Sequence, residues 1–170
     1  MLFESVFCKH AEDITIDYVF ALLDIPWWYY LISLGIGSAI WFIWKRPSLG
    51  LLAGYSILVL AETVLIRNPF VGEHLKLEFF WSWRAWDVQS GQIIANVVMF
   101  IPIGLLSGWL WKWKGEFVAV GMSVLIELLQ LVSKTGLCEI DDVIHNSLGA
   151  VIGIVAVLLL KKIFLKEKCE

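Results

Sequence analysis

Five stretches of this chain are apolar over about the length that crosses a bilayer, and no other feature restricts its fold as much. A spanning helix needs about 17 to 25 mainly apolar residues. Residues 25–44, 49–66, 93–113 and 143–164 meet that requirement, and 117–132, at 16 residues, falls just short of it and is counted as the fourth span. Backbone N–H and C=O groups in hydrocarbon must be satisfied within the segment itself, which leaves helices as the economical solution for isolated stretches of this kind. The sequence therefore predicts an all-α polytopic membrane helix bundle of about five transmembrane helices. Composition agrees: 59% of residues are hydrophobic and ten are tryptophan, far from an ordinary soluble domain of this size.

The segments outside these stretches are short, with two exceptions. Residues 1–24 carry five acids against one lysine, whereas a secretory signal opens on a basic region, so the first span reads as retained. Within them "AEDITIDYVFALLD" places apolar side chains on one side of a helix and acids on the other, predicting an amphipathic helix on the membrane surface. The second exception, residues 67–92, contains "EFFWSWRAW". Indole rings favour headgroup depth, so this segment reads as an extracytoplasmic interfacial loop. No repeat and no low-complexity linker divides the chain, and residues 1–170 read as one domain.

Lys and Arg give the orientation. With the N-terminus outside, Lys45, Arg46, Lys112, Lys114, Lys161, Lys162, Lys166 and Lys168 face the cytoplasm, and Lys9, Arg67, Lys76, Arg84 and Lys134 do not. That bias favours an extracytoplasmic N-terminus and a cytoplasmic C-terminus in the plasma membrane. A net charge of −3 and the lack of a basic stripe argue against nucleic acid. The three cysteines, Cys8, Cys138 and Cys169, are too scattered for a disulfide framework or a zinc site.

On this layout the polar residues of the spans gather at one depth, near the outer face. Arg67 ends the second span, Asn96 lies a turn into the third, and Glu127 and Gln130 lie before the end of the fourth. Asp141, Asp142, His145 and Asn146 open the fifth. Ionisable groups at membrane depth cost about 2.5–3.5 kcal/mol each on insertion scales, so several together point to a functional site facing a bundle interior. Asp141 and His145 are four residues apart, as are Asp142 and Asn146, which puts each pair on one helix face. Plainer roles compete: an Asp at a helix start serves as a cap, Arg67 and Glu127 can form an ion pair, and Asn96 can join helices by hydrogen bonding. Gly104 with Gly108, and Gly149 with Gly153, are small-xxx-small pairs that permit close helix approach.

"NVVMFIPIGLLSG" (96–108), "IELLQL" (126–131) and "EIDDVIHNSLGAVIG" (139–153), in that order, resemble the VanZ-like family of bacterial membrane proteins. The likeness covers about the last 60 to 75 residues and Arg67; before that, only hydrophobic spans correspond. It implies a place in the bacterial cell envelope and, through the family's namesake, low-level resistance to the lipid-tailed glycopeptide teicoplanin. Asn96, Glu127, Gln130, Asp142 and Asn146 fall on the family's polar positions, with Asp141 and Arg67 close behind. Many members carry an arginine shortly before the acidic motif, where this chain has Thr135 and Gly136; Lys134 is the nearest cation.

Three functions follow as expectations. In the first, an outer-leaflet pocket binds a membrane lipid, a lipid-linked envelope precursor or the lipoglycopeptide antibiotic. Arg67 and Lys134 attract phosphate, and Asn96, Gln130, Asp141 and Asn146 supply hydrogen bonds. In the second, the site is a hydrolase or transferase with Glu127 and Asp142 as acid and base and His145 as an alternative base. A divalent metal could use Asp141, Asp142 and His145, but their spacing matches no standard metal site. The third, proton-coupled transport, finds no relay in the inner halves of the spans.

Overall fold

The computed structural model describes residues 25–69 and 71–167. The segment expected to form the amphipathic N-terminal helix lies outside them. Helix α1 (Trp27–Trp44) follows Pro26 and stops where Lys45 turns left-handed. Helix α2 (Pro47–Leu60) restarts the chain with Pro47 in its first turn, where a missing N–H is harmless. It continues without a break into a wider π turn at Ala61–Leu65. Helix α4 (Trp86–Trp111) is separated from α5 (Gly115–Ser133) by a tight 3₁₀ turn, Lys112–Lys114. Helix α6 (Ile140–Glu167) closes the chain.

Four helical stretches are long and apolar enough to span a membrane: Trp27–Trp44, Pro47–Leu65, Trp86–Ser133 and Ile140–Ile163. The third, of 48 residues, reverses at Lys112, and Gly115 packs against the backbone of Ser107. It therefore comprises two antiparallel helices, α4 and α5, giving five membrane-capable helices among the described residues. The apolar side chains divide accordingly: Val59, Phe100, Ile103, Ile126 and Ala150 form the sealed core, while Phe42, Phe117 and Val132 are exposed in the manner of lipid-facing residues.

The glycines explain the closest helix contact. A Cβ on Gly149 would fall on the carbonyl oxygen of Val97, one on Gly104 on that of Ala150, and one on Gly153 on that of Ile101. Helices α4 and α6 thus touch backbone to backbone, as their small-residue spacing predicts. Helix α1 leans on α2 in the same way, with Gly37 against Gly50 and the Ser33 hydroxyl donating to the Gly54 carbonyl at 2.8 Å. Pro102 sits inside α4, and in the turn before it the Met99 carbonyl accepts from the Tyr55 hydroxyl of α2 at 3.0 Å. A neighbouring helix thereby supplies a donor where proline loosens the ladder.

The segment 67–92 is not a simple loop. Leu75–Lys76 (β1) pairs in parallel with Cys138–Glu139 (β2), Trp81–Arg84 forms a short helix, α3, and α4 begins at Trp86 rather than at Ile93. Hydropathy misplaced that start because Asp87, Gln89, Ser90 and Gln92 lower the average. Asn96 consequently lies about three turns inside its helix, deeper than the single turn expected.

Candidate functional site

Where α2 ends, the π turn reroutes the hydrogen bonds, with the Ile66 N–H donating to the Ala61 carbonyl at 3.0 Å. The carbonyls of the last turn then need outside donors. Thr63 receives one from Gln130 Nε2 at 2.9 Å, and Glu62 receives one from Arg67 Nε at 3.2 Å. This widened turn aims Glu62 and Thr63 at a cavity of about 430 Å³ enclosed by α2, α4, α5 and α6. Such π distortions are frequent at functional sites.

The other walls follow from helical spacing. On α4, Gln92, Asn96 and Met99 share a face; on α5, Glu127 and Gln130 do; on α6, Asp142 and Asn146 do. Three hydrogen bonds fix these side chains between elements. Gln92 Nε2 donates to Asp142 Oδ2 at 3.1 Å, the Glu139 N–H donates to Glu127 Oε2 at 2.8 Å, and Asn146 Nδ2 donates to Ser123 Oγ at 2.8 Å. Glu127, Gln130 and Asn146 are 4%, 5% and 2% exposed. Even so, Gln130 Oε1, Asn146 Oδ1 and Asn96 Nδ2 have no hydrogen-bond partner among the described residues. Buried polar atoms are rarely left in that state unless water or a ligand completes them.

Arg67, Asn96, Glu127, Gln130, Asp142 and Asn146 all line this one cavity. Three other residues singled out in the sequence do not. Asp141, one residue from Asp142 and so about 100° around the helix, faces the aromatic segment instead. It accepts from the N–H of Phe80 at 2.7 Å, the N–H of Ser82 at 3.0 Å and the hydroxyl of Ser82 at 2.6 Å. It does act as a cap, but of α3 rather than of its own helix. His145 is fully buried, packed on the Trp83 ring at a centroid separation of 5.8 Å, with Nδ1 3.7 Å from Asp142 Oδ1. Lys134 is exposed and left-handed, and its N–H closes α5 by donating to the Gln130 carbonyl.

Glu139 ties the two parts together. Its N–H holds Glu127, its carboxylate accepts from Trp81 Nε1 at 2.7 Å, and its backbone pairs with Lys76. Burial, reinforced by the negative charge of Asp142, pushes its carboxyl up to about 7. The adjoining Cys138 is a buried free thiol, also pushed up by burial. Among the described residues no group of three His, Cys, Asp or Glu side chains is arranged to hold a metal ion.

Sequence reasoning missed Thr63, Gln92, Ser123 and Glu139 as members or supports of this site. Gln92 and Asn96 do stand at i, i+4, a signal hidden by the late helix start. Nothing in the sequence announced the π turn.

A family model described as VanZ/LLP1 matches residues 27–161. The chain belongs to the VanZ/LLP1 family. The matched region runs from the first residue of α1 into the last turns of α6, so it takes in the first two spans as well as the motifs of the C-terminal half. No curated protein and no solved structure matches the chain. Just before the acidic motif of this VanZ-like membrane protein stand Thr135 and Gly136. Gly136 lies against the Gln130 side chain, where a Cβ would come within 2.8 Å of Cδ.

Proposed function

We propose that this VanZ-like protein binds a lipid-linked envelope precursor, or the acyl-bearing antibiotic teicoplanin, by seating its polar head in the cavity at the outer leaflet. The observation that carries this reading is the pair of buried amides, Gln130 and Asn146, each with a hydrogen-bonding atom left open on the cavity wall. An unsatisfied buried polar group costs about 1–3 kcal/mol, which a hydrogen-bonding ligand recovers. Arg67, the exposed cation of the lining, suits a phosphate. Asn96, Gln130 and Asn146 supply directional hydrogen bonds, and Asp141 acts indirectly by fixing the aromatic segment.

The outer-leaflet assignment draws on the opposite end of the molecule. Lys45 and Arg46 share a cavity there with Trp109, and Lys161 Nζ donates to the Trp109 carbonyl at 2.7 Å. A cluster of basic residues at that end favours the cytoplasm, which leaves the polar cavity outside. The test is Arg67→Gln, scored for teicoplanin tolerance in an expressing strain and for lipid binding by the purified protein. Loss of both is the expected result; full retention of both refutes the reading.

A second reading, a hydrolase or transferase acting on a lipid phosphate, is favoured by one observation: Glu127 and Asp142 face the same cavity. Two carboxyls there could divide the roles of acid and base. Phosphate release from a polyprenyl phosphate or phospholipid by purified protein, abolished in Glu127→Gln, would establish it.

A further inference from the structure

The cavity is chemically lopsided, and its asymmetry specifies a ligand more narrowly than lipid binding in general. Its lining has three carboxyl groups, those of Glu62, Glu127 and Asp142, against one cation, Arg67. The open hydrogen-bonding atoms are lopsided too. Gln130 offers an acceptor, and its orientation is fixed: the Thr63 carbonyl can only accept, so Nε2 must face it and Oε1 must face the cavity. Asn146 Oδ1 is a second open acceptor, and Asn96 Nδ2 is the lone open donor among the buried side-chain atoms of the described lining.

Two of the carboxylates are held in place by the protein's own donors, Glu127 by the Glu139 N–H and Asp142 by Gln92. Each carboxylate has more lone pairs than these single bonds use. A phosphate pushed to this floor would meet carboxylates and carbonyl oxygens. An ammonium there would meet several acceptors at once, in charge-assisted hydrogen bonds that are roughly twice as strong as neutral ones. Arg67 is exposed and anchored through Nε to the Glu62 carbonyl.

We propose that the cavity recognises a zwitterionic lipid headgroup, with a primary ammonium on the floor formed by Glu127, Asp142 and the Gln130 carbonyl and with its phosphate at Arg67. This rests on the lipid-binding reading and adds the headgroup class to it. A volume of about 430 Å³ is within the size of small-molecule sites and leaves room for such a headgroup. Met99 and Ile126 give the same cavity an apolar wall for the carbons between the two charges.

The experiment uses the full chain in detergent, with dioctanoyl phosphatidylethanolamine, phosphatidylglycerol and phosphatidic acid titrated separately and binding followed by native mass spectrometry. Phosphatidylethanolamine should bind about tenfold or more tightly than either anionic lipid, the scale of one charge-assisted hydrogen bond. Glu127→Gln keeps an acceptor for the Glu139 N–H and should reduce that preference to within a few-fold. Asp142→Asn, a second and independent variant, should do the same, while Arg67→Gln should weaken all three lipids together. Equal or tighter binding of phosphatidylglycerol or phosphatidic acid overturns the ammonium assignment but leaves the lipid-binding reading standing. Failure of all three lipids to bind the folded wild-type protein overturns the headgroup assignment; the lipid-binding reading falls with it only if a polyprenyl-pyrophosphate-linked precursor and teicoplanin, titrated in the same way, also fail to bind.

Discussion

Asp141→Asn should release the aromatic segment without unfolding the bundle. The carboxylate, fully buried, takes three donors: the Phe80 N–H on Oδ1, and the Ser82 N–H and hydroxyl on Oδ2. An asparagine has one acceptor oxygen. Placed toward Ser82, it turns its amide N–H₂ against the Phe80 N–H; placed toward Phe80, it turns that group against the Ser82 N–H. Either way a backbone donor is orphaned, buried at Ser82 or part-buried at Phe80, at about 1–3 kcal/mol, and the surviving bonds lose their charge assistance. The sum is about 3 kcal/mol. The segment has a further reason to open, since Phe80 is held left-handed at φ 58°, at about 1–2 kcal/mol for a residue with a Cβ. Hydrogen exchange reads this locally. At 1.4 kcal/mol per decade, protection across residues 78–84 should fall about a hundredfold, while α4 and α6 keep theirs. Ser82→Ala removes only the hydroxyl bond and should cost about 1 kcal/mol, tenfold or less. Unchanged exchange at Phe80 and Ser82 in a folded Asp141→Asn protein would refute the capping role.

Other consequences are equally open to measurement. Gly149→Ala and Gly104→Ala place a Cβ on a facing carbonyl, so each should lower stability by about 1–3 kcal/mol in detergent unfolding. Gly121→Ala, with open space around it, should be neutral or stabilising by up to about 1 kcal/mol. Glu139 keeps its proton in the folded state up to about pH 7, while the unfolded chain releases it near the ordinary 4.5. The folded state thus binds more protons between those values, and stability should decline as pH rises through that window. A Glu139→Gln protein should show a flatter profile in pH-dependent thermal melts, and an unchanged slope would contradict the assignment. Tyr55→Phe removes the donor to the Met99 carbonyl beside Pro102 and should destabilise by about 1 kcal/mol in the same melts.

The membrane spans were legible because burial in lipid demands helices, and hydropathy records that demand directly. The α4–α6 contact was legible because glycine at a four-residue spacing has few other uses in an apolar helix. The polar cavity was legible in outline: antiparallel spans put Arg67, Asn96, Glu127, Gln130, Asp142 and Asn146 at one end, and the fold brings all six to one cavity. Which way adjacent residues point was not legible. Asp141 and Asp142 differ only in helical phase, and their partners, Ser82 and Gln92, come from about fifty to sixty residues away in sequence. The β1–β2 pair eluded the sequence because two residues on each strand carry no periodic signal. His145 was placed among the candidate bases, but Trp83 covers it, a contact made across the loop that hydropathy had left without structure.

If a ligand completes the buried amide and carboxyl groups of this cavity, it should be seen in place between them. An electron cryomicroscopy map of the full chain in nanodiscs of bacterial lipid tests this most directly. Non-protein density within hydrogen-bond reach of Gln130 Oε1 and Glu127, continuing past Arg67 toward the bilayer, is the result predicted. A cavity closed by Gln130, Asn146 and Asn96 bonding one another, with no density inside, would contradict it and make the polar cluster a device for joining helices.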